Sequence, residues 1–146
     1  MKIRDRLIVK PNFPNSDFVN LGVLMQHTAL IVDDDQHTLV LLTEVLKPTG
    51  IQVLQAEDGA QALQILATNT PSIILLDMLM PRVTGHDVLN YVSRTPRLDD
   101  MYVVVISAHR YFEADASLER ANAYLVKPIR PKDIRYALEL AISKDS

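Results

Sequence analysis

Short apolar runs alternate along the chain with segments whose apolar residues recur at helical spacing. Runs rich in β-branched residues predict five strands: Ala29–Val32, Ile51–Ala56, Ile73–Leu76, Tyr102–Ile106 and Tyr124–Val126. Three of these runs are apolar on both faces, which is typical of strands that are buried in a parallel sheet. The alternating pattern begins at about Thr28.

Helical spacing predicts helices between and after these strands. Small and apolar residues recur at i, i+3, i+4 and i+7 in Gly59–Leu66, Gly85–Val92 and Ile134–Ala141. The segment Gln36–Lys47 is apolar over a wider arc, and Pro48 and Gly50 end it. Tyr111–Asn122 has the weakest helical pattern, and we predict a further helix there.

The order of these elements alternates strand and helix five times. Such alternation implies right-handed crossovers between parallel strands, with helices on both faces of the sheet. We therefore predict an α/β fold of the flavodoxin-like (βα)5 class, which is a doubly wound five-stranded parallel sheet with strand order 2-1-3-4-5. Residues 28–146 would form this domain.

Residues 1–27 precede the alternating pattern and are predicted to be an N-terminal extension of unknown role. Within it, the stretch "RLIVKP" is strand-like and "DFVNLGVLM" is partly apolar. Such a segment can dock on its own domain, or it can exchange between two copies in a homodimer. The sequence leaves both arrangements open.

Polar residues follow the predicted strands at the points where those strands end. They are Asp33, Asp34 and Asp35 after the first strand, Asp77 after the third, Ser107 after the fourth and Lys127 after the fifth. The carboxyl ends of parallel strands meet at one edge of the sheet, where ligands of such folds bind. We expect these side chains to converge there, except that Asp35 is expected to cap the next helix. Glu57 and Asp58 follow the second strand and are expected to cap and start the helix after it.

This predicted cluster combines carboxylates, a hydroxyl and an ammonium group, which suits phosphoryl chemistry. Mg²⁺ prefers one or two carboxylates together with water and phosphate oxygens. The lysine and the serine would neutralise and hydrogen-bond a phosphoryl group, which carries about −1.5 to −2 charges at neutral pH. An aspartate can act as the nucleophile and form an acyl phosphate. Asp77 is the best candidate, because it ends the most central strand and has no neighbouring carboxylate in the sequence.

Four motifs in this order resemble the response-regulator receiver domain of two-component signalling systems. They are "IVDDD", "LLDMLMPRVTG", "ISA" and "YLVKP", and the resemblance extends over about Thr28–Ser143. It implies that Asp77 is the phosphorylated aspartate. It also implies that a Mg²⁺ or Mn²⁺ ion binds Asp34 directly, Asp33 through a water, and the backbone carbonyl of Leu79.

The same resemblance implies roles for residues near the later strands. Ser107 matches the switch hydroxyl that turns toward the phosphoryl group, and Tyr124 matches the aromatic residue whose rotation follows it. Lys127 matches the lysine that pairs with the phosphate, and the Lys127–Pro128 bond is expected to be cis. Gly85 matches a glycine at which a helix starts close to the site.

Two features depart from the family pattern. Many receivers carry a Gly-Ala pair before the fifth strand, whereas this chain has Arg120 at the glycine's place. That segment is part of the surface that receivers use for output, so we expect an unusual output face. Leu79 and His109 follow Asp77 and Ser107 by two residues, at positions that can tune the attack of water on the acyl phosphate.

The resemblance implies a function in signalling and leaves alternatives. We expect a stand-alone receiver, because only "SKDS" ends the chain after the last helical pattern. It would take a phosphoryl group from a sensor histidine kinase or histidine phosphotransfer protein and then bind a downstream protein. We expect only self-phosphorylation and self-dephosphorylation, not an enzyme. One alternative is an interaction module that is not phosphorylated. Another is a phosphatase with an aspartyl-phosphate intermediate, which generally has a second aspartate where Leu79 stands.

Composition narrows the classes of function further. Apolar residues make up 48% and charged residues 23% of the 146 residues, as in a globular domain. The absence of cysteine excludes disulfides and thiolate chemistry, and four scattered histidines disfavour a histidine-based zinc site. The net charge of −3 gives no basic excess for nucleic-acid binding. No apolar run approaches the roughly 20 residues of a membrane span, so we expect no membrane insertion and a cytoplasmic location.

Overall fold

A computed structural model describes residues 2–4, 7–9, 26–108 and 115–143, with side chains from residue 26 onward. The strands are β1 (Lys2–Arg4), β2 (Leu7–Val9), β3 (Thr28–Val32), β4 (Gln52–Ala56), β5 (Ile73–Asp77), β6 (Tyr102–Ser107) and β7 (Ala123–Val126). The α-helices are α1 (Gln36–Leu46), α2 (Gly59–Thr68), α3 (Gly85–Ser93) and α4 (Pro131–Ser143). Single 3₁₀ turns lie at Lys47–Thr49, Pro96–Leu98 and Ala116–Leu118.

All seven described strands belong to one sheet, in the order β1-β2-β7-β6-β5-β3-β4. Strands β3 to β7 are parallel, and their order confirms the predicted 2-1-3-4-5 arrangement. β1 and β2 extend the sheet by antiparallel pairing, β2 directly beside β7. The strand-like stretch "RLIVKP" therefore contains a strand, whereas β1 was not predicted. The stretch "DFVNLGVLM" lies outside the described residues.

Two apolar layers cover the parallel strands. Alternate residues of β3 serve different layers, since Ala29 and Ile31 pack with α1 and α4 while Leu30 and Val32 pack with α2 and α3. Every residue of β5, β6 and β7 is buried, as the continuous apolar runs predicted. The polar groups at the carboxyl ends of these strands are thus attached to strands that are fully buried.

Side-chain caps fix where the first three helices begin. The carboxylate of Asp35 accepts a hydrogen bond from the His37 amide at the start of α1, and that of Asp58 accepts one from the Gln61 amide at the start of α2. Both caps were predicted. Thr84 begins α3 with a reciprocal capping box. No helix in the described parts of the chain combines the length and the apolar character needed to cross a bilayer.

The helix predicted over Tyr111–Asn122 is wrong for the described part of that segment. Residues 115–122 contain one 3₁₀ turn, Ala116–Leu118, and no α-helix. The physical reason is local, because the Asp115 carboxylate accepts a hydrogen bond from the Ser117 amide and closes a tight turn there. Residues 109–114, which include His109, lie outside the described residues.

Arg120 closes this segment in place of a glycine. Its guanidinium donates to the carbonyls of Leu98 at 2.9 Å, Asp99 at 3.3 Å and Met101 at 2.9 Å, and to Asn122 Oδ1 at 3.2 Å. One side chain therefore joins the loop before β6 to the residues that lead into β7. The arginine at position 120 therefore donates hydrogen bonds to backbone carbonyls, and β7 keeps its expected place in the sheet.

Candidate functional site

The sheet brings the predicted polar residues to a single edge. Asp77 and Ser107 are the last residues of β5 and β6, and Lys127 directly follows β7. Backbone hydrogen bonds continue past the strand ends, from the Asp33 amide to the Ala56 carbonyl at 3.1 Å and from the Lys127 amide to the Ser107 carbonyl at 2.9 Å. Their backbone positions are therefore fixed by the sheet.

Three carboxylates meet at this edge. Asp33, Asp34 and Asp77 each place a carboxylate oxygen within 4.8 Å of the other two. Asp33 and Asp77 are only 1% and 2% exposed, whereas Asp34 is exposed to solvent. A cluster with two buried members and one exposed member is open to solutes from one side.

The side chain of Lys127 reaches into the same cluster. Its ammonium nitrogen lies 3.7 Å from Asp77 Oδ1 and 3.9 Å from Asp33 Oδ2. These distances exceed those of hydrogen bonds, so the attraction is Coulombic. The lysine side chain is about one-third exposed, and it can therefore turn toward an anion bound at the edge.

The carboxylate of Asp33 is only partly satisfied by the fold. Its Oδ1 accepts a hydrogen bond from the Asp35 amide at 2.8 Å, but its buried Oδ2 has no hydrogen-bond donor among the described residues. Asp77 Oδ1 accepts one from the Leu79 amide at 3.2 Å. A buried oxygen that lacks a donor, beside two other carboxylates, fits a hard divalent cation such as Mg²⁺.

Burial makes these acids harder to ionise. Burial raises the pKa of Asp33 from 3.8 to about 6, although the hydrogen bond from the Asp35 amide acts in the opposite direction. Burial also raises the pKa of Asp77, while the hydrogen bond from the Leu79 amide and the charge of Lys127 lower it. A cation at this edge would favour the ionised carboxylates and offset the effect of burial.

Ser107 and Tyr124 lie on neighbouring strands beside the cluster. Ser107 is buried at the end of β6. In the sheet it lies opposite Val126 of β7, and Val126 follows Tyr124 by two residues. The Tyr124 hydroxyl donates to the Leu118 carbonyl at 3.3 Å. The aromatic ring is thus turned inward toward the 3₁₀ turn at Ala116–Leu118, and the switch roles of both residues remain predictions.

Gly85 allows α3 to begin against the end of β5. A Cβ atom at this position would lie 2.6 Å from the Asp77 carbonyl oxygen and 2.7 Å from the Met78 Cα. Both contacts are shorter than real Cβ atoms tolerate, and the neighbouring atoms belong to the backbone. The predicted close approach of this helix to the site is confirmed.

Other polar residues near the edge do not join the cluster. Asp35 faces α1 as its cap, and the hydrogen bond from the His37 amide lowers the pKa of Asp35. The Lys127–Pro128 bond is cis, as predicted. Arg130, three residues after Lys127, pairs with Asp133 at 3.0 Å at the start of α4.

Two features of the surface were not predicted from the sequence. A cleft of about 390 Å³ adjoins Asp34 and is lined by Asp34, Glu57, Asp58, Ala60, Pro81, Arg82 and Val83. Among the described residues, three large apolar side chains are exposed: Val40 and Leu41 on α1, and Leu79 two residues after Asp77. The wide apolar arc of α1 was the available signal for the first two, whereas the cleft depends on how three loops pack together.

Comparison with known proteins shows that the chain is similar to response regulators. A family model described as "Response regulator receiver domain" matches residues 29–139. The chain is 32% identical over 119 residues to "Response regulator MprA" of Mycobacterium sp. (strain KMS), and the alignment covers 80% of this chain and 51% of that protein. It is 32% identical over 113 residues to "DNA-binding response regulator MtrA" of Mycobacterium tuberculosis (strain CDC 1551 / Oshkosh), covering 75% and 48%. The chain spans about half the length of these curated relatives.

Solved structures agree on the fold. A putative response regulator from Chloroflexus aurantiacus J-10-fl has a TM-score of 0.72 and 31% identity, covering 80% of this chain and 98% of that one. The response regulator protein TrrA from Thermotoga maritima, solved in complex with Mg²⁺-BeF, has a TM-score of 0.72 and 24% identity, covering 79% and 98%. The second likeness concerns the fold alone.

Proposed function

Because the chain belongs to the response regulator receiver domain family, we propose that it is a phosphoacceptor protein of two-component signalling. In this proposal Asp77 receives a phosphoryl group from the phosphohistidine of a sensor histidine kinase or a histidine phosphotransfer protein. One observation carries it. The buried Asp77 carboxylate ends a central strand within 4.8 Å of two other carboxylates and 3.7 Å from the Lys127 ammonium.

The proposed transfer is a displacement at phosphorus. A carboxylate oxygen of Asp77 bonds to phosphorus while the bond from phosphorus to the donor's imidazole nitrogen breaks, which leaves the imidazole on the donor. Water later attacks the phosphorus, inorganic phosphate leaves, and the carboxylate is restored. We expect only these reactions of the protein on itself, since exposed Leu79 offers no acid or base for turnover of external phosphoesters.

Different residues around Asp77 would bind the metal ion and the phosphoryl group. Asp33, Asp34 and Asp77, with the backbone carbonyl of Leu79, would hold a Mg²⁺ or Mn²⁺ ion. Such an ion supplies charge neutralisation at the phosphoryl oxygens. The Lys127 ammonium would pair with one phosphoryl oxygen, and the Ser107 hydroxyl would donate a hydrogen bond to another.

The exposed apolar side chains suggest where the phosphodonor protein makes contact. Val40 is 59% exposed and Leu41 is 42% exposed on α1, while Leu79 is 64% exposed close to Asp77. Large apolar side chains that are exposed to solvent favour contact with another protein. After transfer, movement of Ser107, Tyr124 and Lys127 would change the surface around β7, and a downstream protein would recognise that change.

Labelling with a small-molecule phosphodonor tests the proposal. Intact-protein mass spectrometry after incubation with acetyl phosphate and Mg²⁺ should show the addition of one phosphoryl group to the wild type. The Asp77→Asn variant should gain none, whereas Asp100→Asn, which changes an exposed aspartate in the loop before β6, should be labelled like the wild type. Labelling of Asp77→Asn would overturn the assignment.

Magnesium binding separates this function from an interaction module that is not phosphorylated. Isothermal titration should show one Mg²⁺ site in the wild type and a large loss of affinity in Asp34→Asn. A module that uses protein contacts alone should give no heat of binding at this edge. The titration needs no phosphodonor, so it also tests the metal site when labelling is slow.

A further inference from the structure

Three carboxylates are buried among the described residues, and two of them belong to the candidate metal site. Asp33 and Asp77 lie at the carboxyl edge of the sheet, whereas Asp133, which is 3% exposed, lies on α4 six residues after Lys127. Burying an ionised carboxylate is costly unless the group is paired and hydrogen-bonded. The burial of Asp133 therefore calls for a reason other than metal binding.

Asp133 forms a two-point ion pair with Arg130. Arg130 Nε donates to Asp133 Oδ2 at 3.0 Å, and Arg130 Nη2 donates to Asp133 Oδ1 at 3.4 Å. The backbone closes the same turn, because the amides of Asp133 and Ile134 donate to the Arg130 carbonyl at 3.0 Å and 3.4 Å. Side chain and backbone together therefore fix Arg130 against the first turn of α4.

The ion pair stands where helices usually have a capping side chain. The Arg130 carbonyl accepts the first hydrogen bonds of α4 and Pro131 is the first helical residue, so Arg130 occupies the N-cap position. An arginine there has no oxygen to accept from helix amides, and its charge is unfavourable at the positive end of the helix dipole. Helix initiation alone does not account for this residue. The bond to Asp133 does, because it closes the turn that leads into α4.

Residues 127–130 join β7 to this ion pair and include the lysine of the candidate site. The Lys127 ammonium lies 3.7 Å from Asp77 Oδ1 and 3.9 Å from Asp33 Oδ2, beyond hydrogen-bond distance. One end of the segment is fixed by the Lys127 amide, which donates to the Ser107 carbonyl at 2.9 Å. The other end is fixed by the ion pair. The position of the ammonium therefore depends on both ends of the segment.

We propose that Asp133 is a positioning residue for the candidate site: through Arg130 it holds residues 127–130, and it thereby keeps the Lys127 ammonium facing the Asp77 carboxylate. This role rests on the proposed phosphoacceptor function, in which Lys127 pairs with a phosphoryl oxygen. Asp133 affects phosphorylation through the lysine, because its ion-pair partner is the residue that ends the lysine's segment.

The rate of phosphorylation measures the effect of Asp133. Asp133→Asn removes the negative charge of the ion pair and keeps a side chain of similar size. With acetyl phosphate and saturating Mg²⁺, intact-protein mass spectrometry should show labelling slowed by roughly tenfold, because a misplacement of about 1 Å can cost roughly a hundredfold in rate. Glu139→Gln, which changes an exposed carboxylate of the same helix, should be labelled like the wild type.

A double-mutant cycle with Lys127 separates positioning from a general loss of structure. In a Lys127→Ala background the ammonium is absent, so Asp133→Asn should leave the residual rate unchanged within about twofold. Asp133→Asn alone should also keep the wild-type affinity for Mg²⁺, since the proposed ligands lie at the ends of β3 and β5. An equal loss of rate in both backgrounds, or a loss of Mg²⁺ affinity that matches the loss of rate, would show a purely structural role and overturn the proposal.

Variants of Arg130 test whether the closed turn or the charge of the arginine matters. Arg130→Ala should slow labelling as much as Asp133→Asn. Arg130→Asn also removes the charge, but an N-cap asparagine can form a reciprocal capping box with Asp133, so at least about half of the wild-type rate should be kept. An Arg130→Asn variant as slow as Arg130→Ala would contradict the positioning role. The same two variants decide the question if Asp133→Asn does not unfold cooperatively.

Failure of the positioning role can be told apart from failure of the phosphoacceptor function. A wild type that gains no phosphoryl group overturns the function, and the role of Asp133 falls with it. A wild type that is labelled, with Asp133→Asn labelled equally fast, overturns the role of Asp133 alone.

Discussion

Asp33 and Asp77 are buried acids with little support from hydrogen bonds. Each carboxylate receives one backbone amide, from Asp35 or Leu79, and Asp33 Oδ2 receives none among the described residues. Natural folds usually satisfy buried polar atoms, and exceptions mark places where a ligand completes the site. The burial of the carboxylates that we propose as metal ligands therefore destabilises the metal-free protein.

Replacing Asp33 should stabilise the metal-free protein in a pH-dependent way. The pKa of Asp33 is about 6 in the fold against 3.8 in the unfolded chain, so the folded state binds the proton more tightly between these values. The contribution of Asp33 to the stability of the wild type therefore falls as pH rises from about 4 to 6 and stays lower above that. Asp33→Asn lacks this loss. At pH 7.5 in EDTA it should melt several degrees higher, since this pKa difference corresponds to about 3 kcal/mol.

The matched control has the opposite sign. A hydrogen bond from the His37 amide lowers the pKa of the exposed Asp35, so this group adds stability above its ordinary pKa and loses it as pH falls. Asp35→Asn should therefore be no more stable than the wild type at pH 7.5. Thermal unfolding of all three proteins at pH 4 and pH 7.5 measures both effects. An Asp33→Asn variant that melts below the wild type at pH 7.5 in EDTA would contradict the account.

At the scale of elements, the site depends on how closely helices and loops approach the strand ends. Gly85 lets α3 start against the Asp77 backbone, and Arg120 joins the loop before β6 to the entry into β7. These two residues solve different problems. The glycine removes a steric barrier, whereas the arginine supplies donors to carbonyls that would otherwise lack them.

Removing the Arg120 side chain should destabilise the fold without affecting phosphorylation chemistry. Arg120→Ala leaves the carbonyls of Leu98 and Met101 without this donor, at a cost of about 1–3 kcal/mol. Arg120→Lys should recover only part of the loss, because an ammonium cannot reproduce the planar fork of a guanidinium. Urea unfolding measures the change, with exposed Arg135→Ala as the control. Equal stability of Arg120→Ala and Arg135→Ala would contradict the role assigned to Arg120.

At the scale of the whole molecule, the sequence patterns predicted the parallel sheet and its polar edge well. Continuous apolar runs are typical of buried parallel strands, and the topology then places residues such as Asp77 and Lys127 together without any knowledge of packing. The caps at Asp35 and Asp58 were also predictable, because capping is decided by neighbouring residues.

Features that depend on distant contacts were not predictable in this way. β1 has three residues, too few to show a period, and it is a strand because it pairs with β2, which in turn pairs with β7. The segment around Ala116–Leu118 was predicted as helix, although its Asp115 turn and the Arg120 contacts favour a 3₁₀ turn. The unsatisfied oxygen of Asp33 and the cleft beside Asp34 likewise arise from tertiary packing.

The most direct test of the central claim locates the acyl phosphate within the chain. The protein is incubated with acetyl phosphate and Mg²⁺, reduced with borohydride, which converts a phosphoaspartate to homoserine, and digested for tandem mass spectrometry. The account predicts homoserine at position 77, with Asp33, Asp34 and Asp58 unchanged, and none after incubation in EDTA. Homoserine at another aspartate, or at position 77 equally in EDTA, would contradict it.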